Sequence, residues 1–212
     1  MPFIECLQKR RSVRHFDPQA AISRETLLAL LDAACRAPSS NNSQPWRFLV
    51  LTDPALRQKL LPIAYGQQQI LTASALVLVC ADRAAYGEDN LRRIQQAQFE
   101  DGRFDATTRD FLIERGTAFY RDVLTARETA HTQGMDIGLW AMAFMLAADE
   151  AGWQTVPMSG FQHEALRELL ALPPQYDELL LLAIGKETQP GHPTLRRPAA
   201  ELTGWNSLPP LV

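Results

Sequence analysis

Two stretches of this chain are apolar at nearly every position: ALVLVC at residues 75–80 and ELLLLAIG at residues 178–185. A strand with one face in water alternates apolar and polar side chains, so a continuous apolar run of strand length implies protein on both faces. Both segments are therefore predicted to be central strands, and the rest of the chain must supply layers to cover them. WRFLVLT at 46–52 and WQTVPM at 153–158 add two further strand signals. Helical signals stand before, between and after these strands. The first ten residues place Phe3, Cys6 and Leu7 on one side of a short helix. Ser23 caps an amphipathic helix carrying Leu27, Leu28, Leu30 and Leu31 and ending before Pro38. Further helices are expected from residue 53 or 54 to about 65 and over 163–172. Residues 136–151 are rich in Ala, Met, Leu and Trp around the whole helical circumference, as in a helix surrounded by protein, and Gly152 stops it. The pattern is α+β, in two or three layers.

Two regions fall outside this alternation. Residues 88–128 are charged and helical with a polar break at DGRFDATT, an excursion from the sheet. Residues 186–212 contain many prolines and no long periodic element, so this tail must lie on another surface or on a partner chain. A length of 212 residues and an apolar fraction of 46% suit one domain spanning 1–212. A net charge of -3 argues against nucleic acid as a partner. Cys6, Cys35 and Cys80 lie among apolar residues and read as reduced core thiols, which favours a cytoplasmic setting. The start MPFIECLQKRR reaches charge too soon for a secretory signal, and the longest mostly apolar run, 137–148, is too short to span a bilayer. Neither export nor a membrane partner is expected.

Candidate chemistry is concentrated in four places. Arg10, Arg11, Ser12 and Arg14 put three guanidiniums and a hydroxyl within five residues, a plausible clamp for a phosphate; a basic helix end is the competing reading. Arg196 and Arg197 form a second basic pair in the tail. The loop Pro38, Ser39, Ser40, Asn41, Asn42, Ser43, Gln44, Pro45 is dense in hydrogen-bonding groups that suit either a heteroaromatic ligand or turn capping, and Trp46 after it is read as core. The turn Pro157, Met158, Ser159, Gly160 joins a buried strand to a helix, where glycine admits a close ligand and free N–H groups can donate. His15, His131, His163 and His192 are scattered and form no metal pattern; there is no GxSxG, Walker or GxGxxG motif. No side chain is read as catalytic, so a bound cofactor must bring the chemistry.

Taken together, RRSVRHF, APSSNNSQPWRF, PMSGF and a late IG followed by RRP resemble the FMN-dependent nitroreductase family, in the family's order and over nearly the whole chain. The resemblance implies a small mixed, mainly antiparallel sheet wrapped by helices, in an intertwined homodimer whose C-terminal tail crosses to the partner. It implies FMN as cofactor, NADH or NADPH as electron donor, and ping-pong hydride transfer to a small-molecule acceptor such as a nitro compound or quinone. Arg10 and Ser12 match the phosphate and ribityl end of the FMN site, Arg14 a basic residue near the flavin pyrimidine, and Arg11 stands between them. Pro38, Ser39, Ser40 and Asn42 match a loop that covers FMN held mainly by the other subunit. Gln69 and Gln133 match polar positions near the flavin, Pro157, Met158, Ser159 and Gly160 the turn facing flavin N5, and Arg196 and Arg197 the tail's phosphate ligands. Phe104, Phe111, Phe119 and Tyr120 are candidates for the pocket roof, with helical core the competing and favoured reading for each one. Many members have Glu where this chain has Ser159 and Asn where it has Gly66. Relatives with other acceptors (an enal, a halogenated phenol, oxygen-dependent flavin chemistry) and a flavin binder without turnover are the alternatives.

Overall fold

The computed structural model describes residues 3–208. Four strands, β1 (Trp46–Leu51), β2 (Ala75–Asp82), β3 (Gln154–Met158) and β4 (Tyr176–Gly185), form one sheet in the order β1-β2-β4-β3. Every neighbouring pair is antiparallel, and the parallel contribution is a bridge from Ser12 to Thr155 on the outer side of β3. The two apolar runs take the two central places, and every residue of β2 is buried. Their side chains divide by parity: Ala75, Val77, Val79 and Ala81 face one core, and Leu76, Leu78 and Cys80 face the other. Burying a Val or Leu side chain is worth about 1.5–3 kcal/mol, so a strand of this composition needs cover on both faces, which the centre of the sheet provides. A bulge between Val79 and Cys80 shifts the β2/β4 register, leaving Leu179 as the extra residue.

Helices cover both faces, giving three layers. On one face α2 (Arg24–Ala34) and α7 (Ala126–Glu150) pack through Leu27, Leu30, Leu31, Trp140 and Phe144. On the other lie α3 (Pro54–Ile63), the single turn α4 (Gln69–Thr72) and α8 (His163–Leu170), contributing Leu60, Ile70 and Leu166. Ser23 and Asp53 cap α2 and α3 as their positions suggest. α1 (Phe3–Lys9) leans on α7 through Cys6, whose thiol donates to Asp149, while Phe3 and Leu7 face outward. The excursion is two antiparallel helices, α5 (Glu88–Glu100) and α6 (Ala106–Ala118), the latter continuing into a π-helical turn at Phe119–Val123. A short helix, α9 (Ala199–Leu202), stands in the tail.

Two expectations need revision. α7 begins ten residues before the apolar run, because Thr125 and Glu128 make a reciprocal capping box at its start. Within one chain α7 is also not enclosed: His131, Gly134, Met135, Gly138 and Leu139 line an open outer face, with Met135 49% and Leu139 43% exposed. The three cysteines are free thiols; Cys6 and Cys80 are buried, and burial pushes the Cys80 thiol up to about 11. No helix among the described residues is long and apolar enough to cross a membrane.

Candidate functional site

Two of the four polar motifs, residues 10–14 and the 157–160 turn, lie along the β3 edge, and the tail that carries a third begins there. Residues 10–14 run outside β3, fixed by the Ser12 bridge and by the Val13 N–H donating to the Thr155 carbonyl at 3.1 Å. Their guanidiniums are used differently. Arg11 turns back, donating to the carbonyls of Gln8 at 2.6 Å and Arg10 at 2.8 Å, so it closes the C-terminal end of α1. Arg14 is exposed and reaches only the Ser12 carbonyl, at 3.5 Å. Arg10 is the informative one: its Nη1 is buried with no hydrogen-bond partner. A buried guanidinium nitrogen without a partner is costly, and a water or an anion admitted to this place would relieve it.

The tail begins on this same segment. Thr188 N–H donates to the His15 carbonyl at 2.9 Å and Asp17 N–H to the Lys186 carbonyl at 2.8 Å. Gly191 then lies so close that a Cβ there would stand 2.6 Å from Arg11 Cβ and 2.8 Å from the Ser12 oxygen. Beyond Gly191 the tail is exposed, with Leu195 at 94% and Trp205 at 86%. Arg196 donates to the Leu195 carbonyl and Arg197 to Glu201, so neither is brought to Arg10 within the chain.

At the end of β3 the turn is held from α4. Gln69, buried, donates to Met158 Sδ at 3.2 Å and to Gln67 Oε1 at 3.1 Å, and Gln67 donates to the Gly160 carbonyl at 2.9 Å. Met158 is buried, whereas Ser159 and Gly160 are open to solvent. Gln67 was not singled out by sequence, since within a run of three glutamines nothing marks which one reaches the turn. Gly66 adopts φ +73, a left-handed conformation that asparagine also tolerates.

The fourth motif lies elsewhere. Residues 38–45 lead into β1, at the same end of the sheet as the β3 turn but at the opposite edge, three strand spacings or roughly 14 Å away. The loop is ordered from within: Ser40 N–H donates to Asp136 of α7 at 3.0 and 3.2 Å, and the Ser40 carbonyl accepts from Tyr120 Oη at 2.6 Å. Tyr86 Oη donates to the same carboxylate at 3.0 Å, and Asn90 donates to the Ser43 carbonyl at 2.9 Å. Asp136 is fully buried; burial pushes its carboxyl up, while the Ser40 N–H and Tyr86 hydroxyl oppose that shift. The Tyr86 hydroxyl is raised by burial and by the neighbouring Asp136. Pro38 and Asn42 are exposed and Ser39 is half-buried, its Oγ accepting the Gln44 N–H.

Gln133 does not join this loop. It donates to Asp177, which also pairs with Arg83, and lines a separate cleft of about 560 Å³ with His163 and Glu178. Asp136, one turn further along α7, holds the loop instead. One sign of it was available in the sequence: an acid immediately before the apolar helical run 137–148. Of the roof candidates, Phe111 and Phe119 are exposed, Phe104 is half-buried, and Tyr120 is tied to Ser40. Among the described residues no group of His, Cys, Asp and Glu could hold a metal ion.

Comparisons with known proteins bear on the family and the fold. The sequence profile of the Nitroreductase family matches residues 7–186. YdgI of Bacillus subtilis, provisionally named an NAD(P)H nitroreductase, is 36% identical over 205 residues, covering 96% of this chain and 97% of that one. A protein of Exiguobacterium sibiricum, provisionally termed a nitroreductase and crystallised in complex with FMN, superposes with a TM-score of 0.90 at 32% identity, covering 97% of each chain. The CLA biosynthesis enone reductase of Lactiplantibacillus plantarum is 29% identical over 189 residues, covering 87% of this chain and 86% of that one.

Proposed function

The chain belongs to the nitroreductase family, and from that membership we propose that it is an NAD(P)H-dependent oxidoreductase that holds FMN between two copies of itself and reduces nitro compounds, quinones or similar acceptors. The observation that carries this reading is the buried, unpartnered Nη1 of Arg10, two residues before Ser12 in the segment bridged to β3. The residues fit the cofactor. A phosphate would supply the acceptor that Arg10 lacks, through a charge-assisted hydrogen bond of the kind guanidinium forks make best. Ser12 adds a hydroxyl donor and Arg14 a mobile cation at the next exposed position. The open Ser159–Gly160 turn, braced by Gln67 and Gln69, offers backbone N–H groups to a flat ring system. Bound FMN supplies the hydride relay that no side chain of this protein can perform.

A second copy is part of the proposal. The Ser/Asn loop sits at the edge of the sheet opposite Arg10, so a site using both draws the loop from another chain. The outer face of α7 and the apolar side chains of the exposed tail, Leu195, Leu202, Trp205 and Leu208, supply surface for that contact. In such a dimer Arg196 and Arg197 would travel with the tail. Ser159, where many members carry Glu, leaves the approach of the nicotinamide without that charge.

The deciding experiment is an anaerobic absorbance spectrum of the FMN-loaded protein before and after NADH or NADPH, followed by nitrofurazone and menadione. Bleaching by a donor and recovery with either acceptor is expected. Unchanged absorbance marks a binder without turnover, and protein that stays colourless with added FMN overturns the proposal. Bleaching that only an α,β-unsaturated carbonyl compound reverses would move the acceptor toward that of the enone reductase relative.

A further inference from the structure

The four residues Ser40, Asp136, Tyr86 and Tyr120 come from four separate parts of the chain and close on one another. Asp136 accepts from the Ser40 N–H and from Tyr86; Tyr120 donates to the Ser40 carbonyl; and the Tyr86 and Tyr120 rings meet edge to face at 5.3 Å and 88°. Both peptide groups of Ser40 are thereby tied, while its hydroxyl takes part in neither bond. The backbone that follows gains from such a hold: Asn41 and Asn42 adopt φ +48 and +54, a left-handed conformation that asparagine tolerates singly but that two residues seldom take in succession. Tyr120 belongs to the π-helical turn that ends α6, a widening of the helix that is frequent at functional sites. The same helix crowds the loop at Gly116, where a Cβ would meet Leu91 at 3.0 Å and Asn41 at 3.5 Å.

We propose that Asp136, acting with Tyr86 and Tyr120, is the positioning residue of the flavin site: it fixes the Ser40 peptide so that residues 39–42 present their hydroxyls and amides in one orientation, and it makes that orientation depend on how the excursion is seated. This rests on the reading that the loop covers FMN. A carboxylate suits the task because it accepts two donors at once in a buried place. An amide can reproduce both bonds by accepting from Ser40 and donating to the Tyr86 oxygen, whereas alanine reproduces neither. The coupling has a kinetic consequence: an acceptor that contacts the excursion and a flavin that contacts the loop bear on one linked unit, so loosening Tyr120 alters both.

The test compares Asp136→Ala, Asp136→Asn and Tyr120→Phe with the unmodified protein, reading FMN affinity by flavin fluorescence, and kcat and KM for menadione at saturating FMN. Asp136→Ala is expected to weaken FMN binding about tenfold or more and to lower kcat, the scale of one or two lost hydrogen bonds to a charged group. Asp136→Asn should return both to within about threefold of the unmodified protein. Tyr120→Phe should weaken FMN binding several-fold and raise KM for menadione, and it carries the test alone if Asp136→Ala does not fold. A purely structural role would lower the melting temperature and leave FMN affinity and the kcat/KM split in the cold untouched; that result, or an Asp136→Asn as impaired as Asp136→Ala, overturns the proposal. Unmodified protein that takes up no FMN defeats the functional reading itself, whereas FMN uptake that all three variants share equally defeats only this inference.

Discussion

Gly191→Ala should separate the tail from residues 10–14, the proposed phosphate-binding segment, without unfolding the chain. The new Cβ would sit 2.6 Å from Arg11 Cβ, 2.8 Å from the Ser12 carbonyl oxygen and 3.1 Å from the Ser12 carbonyl carbon. Ordinary carbon contacts lie at about 3.5–4.0 Å, so the methyl must retreat by roughly 1 Å. The atoms in its way are backbone or Cβ and cannot rotate aside. Overpacking of this kind costs about 1–3 kcal/mol if the tail stays in place. The cheaper response is for the chain to peel away after Thr188, whose bond to His15 and the neighbouring Asp17–Lys186 bond anchor it further upstream. Peeling leaves both cores intact, so melting of the apoprotein should fall by no more than about 4 °C, the scale of 1 kcal/mol in a chain of this size. FMN binding should suffer more, because Arg196 and Arg197 lie downstream of the break. Losing one charge-assisted phosphate contact, worth about 1.5–3 kcal/mol, raises the FMN Kd roughly 10- to 150-fold. Fluorescence titration with FMN and a circular-dichroism melt read the two effects separately. An alanine variant that binds FMN within twofold of the parent would show that the tail's course past Arg11 has no bearing on the cofactor.

Other substitutions probe the remaining parts of the argument. Gly138→Ala meets nothing within 4 Å inside the chain and gains helix propensity of about 1 kcal/mol, yet it should shift the molecule toward monomer if the outer face of α7 meets a second copy; an unchanged mass by light scattering would place the contact elsewhere. Arg57→Met removes a buried guanidinium that donates to the carbonyls of Leu51, Ala73 and Ser74. At about 1 kcal/mol or more for each orphaned carbonyl it should lower Tm by roughly 6–12 °C with FMN affinity in the cold preserved, and a loss of less than 2 °C would show that water replaces the bonds freely. Burial raises the Asp136 carboxyl above its unfolded value, so its contribution is complete below the ordinary carboxylate range and is lost as pH rises through the raised value. Asp136→Asn should therefore melt above the parent at neutral pH, with the gap closing on acidification; a gap that widens in acid would reverse the sign of the burial effect.

The layers were legible because they follow from single residues and their neighbours. ALVLVC and ELLLLAIG announce strands with two covered faces, and Ser23 and Asp53 announce helix starts whatever the rest of the chain does. The site was legible only in its parts. That Arg10 and Ser12 lie against β3, near the tail, depends on a bridge to Thr155 that lies 143 residues away in sequence. That Asp136 rather than Gln133 serves the loop turns on which side of α7 faces it, a three-residue difference that composition does not register. The start of α7 was missed for the opposite reason: Thr125 and Glu128 carry a local signal, but the charged residues around them masked it.

The division of the motifs between two edges of one sheet carries the largest functional consequence. A sheet of four strands with buried central members leaves only its outer strands free to meet a ligand, and here the segment carrying the unpartnered guanidinium stands on one side while the hydroxyl-rich loop stands on the other. Stretching either across the sheet would expose β2 and β4, whose side chains hold the two cores together. Bringing up a second molecule costs neither core anything. It also gives the open face of α7 and the apolar tail something to cover them. On this view the loop's internal clasp and the missing partner of Arg10 are two halves of one arrangement. In the proposed dimer each chain would finish shaping the part it lends and leave unfinished the part it receives.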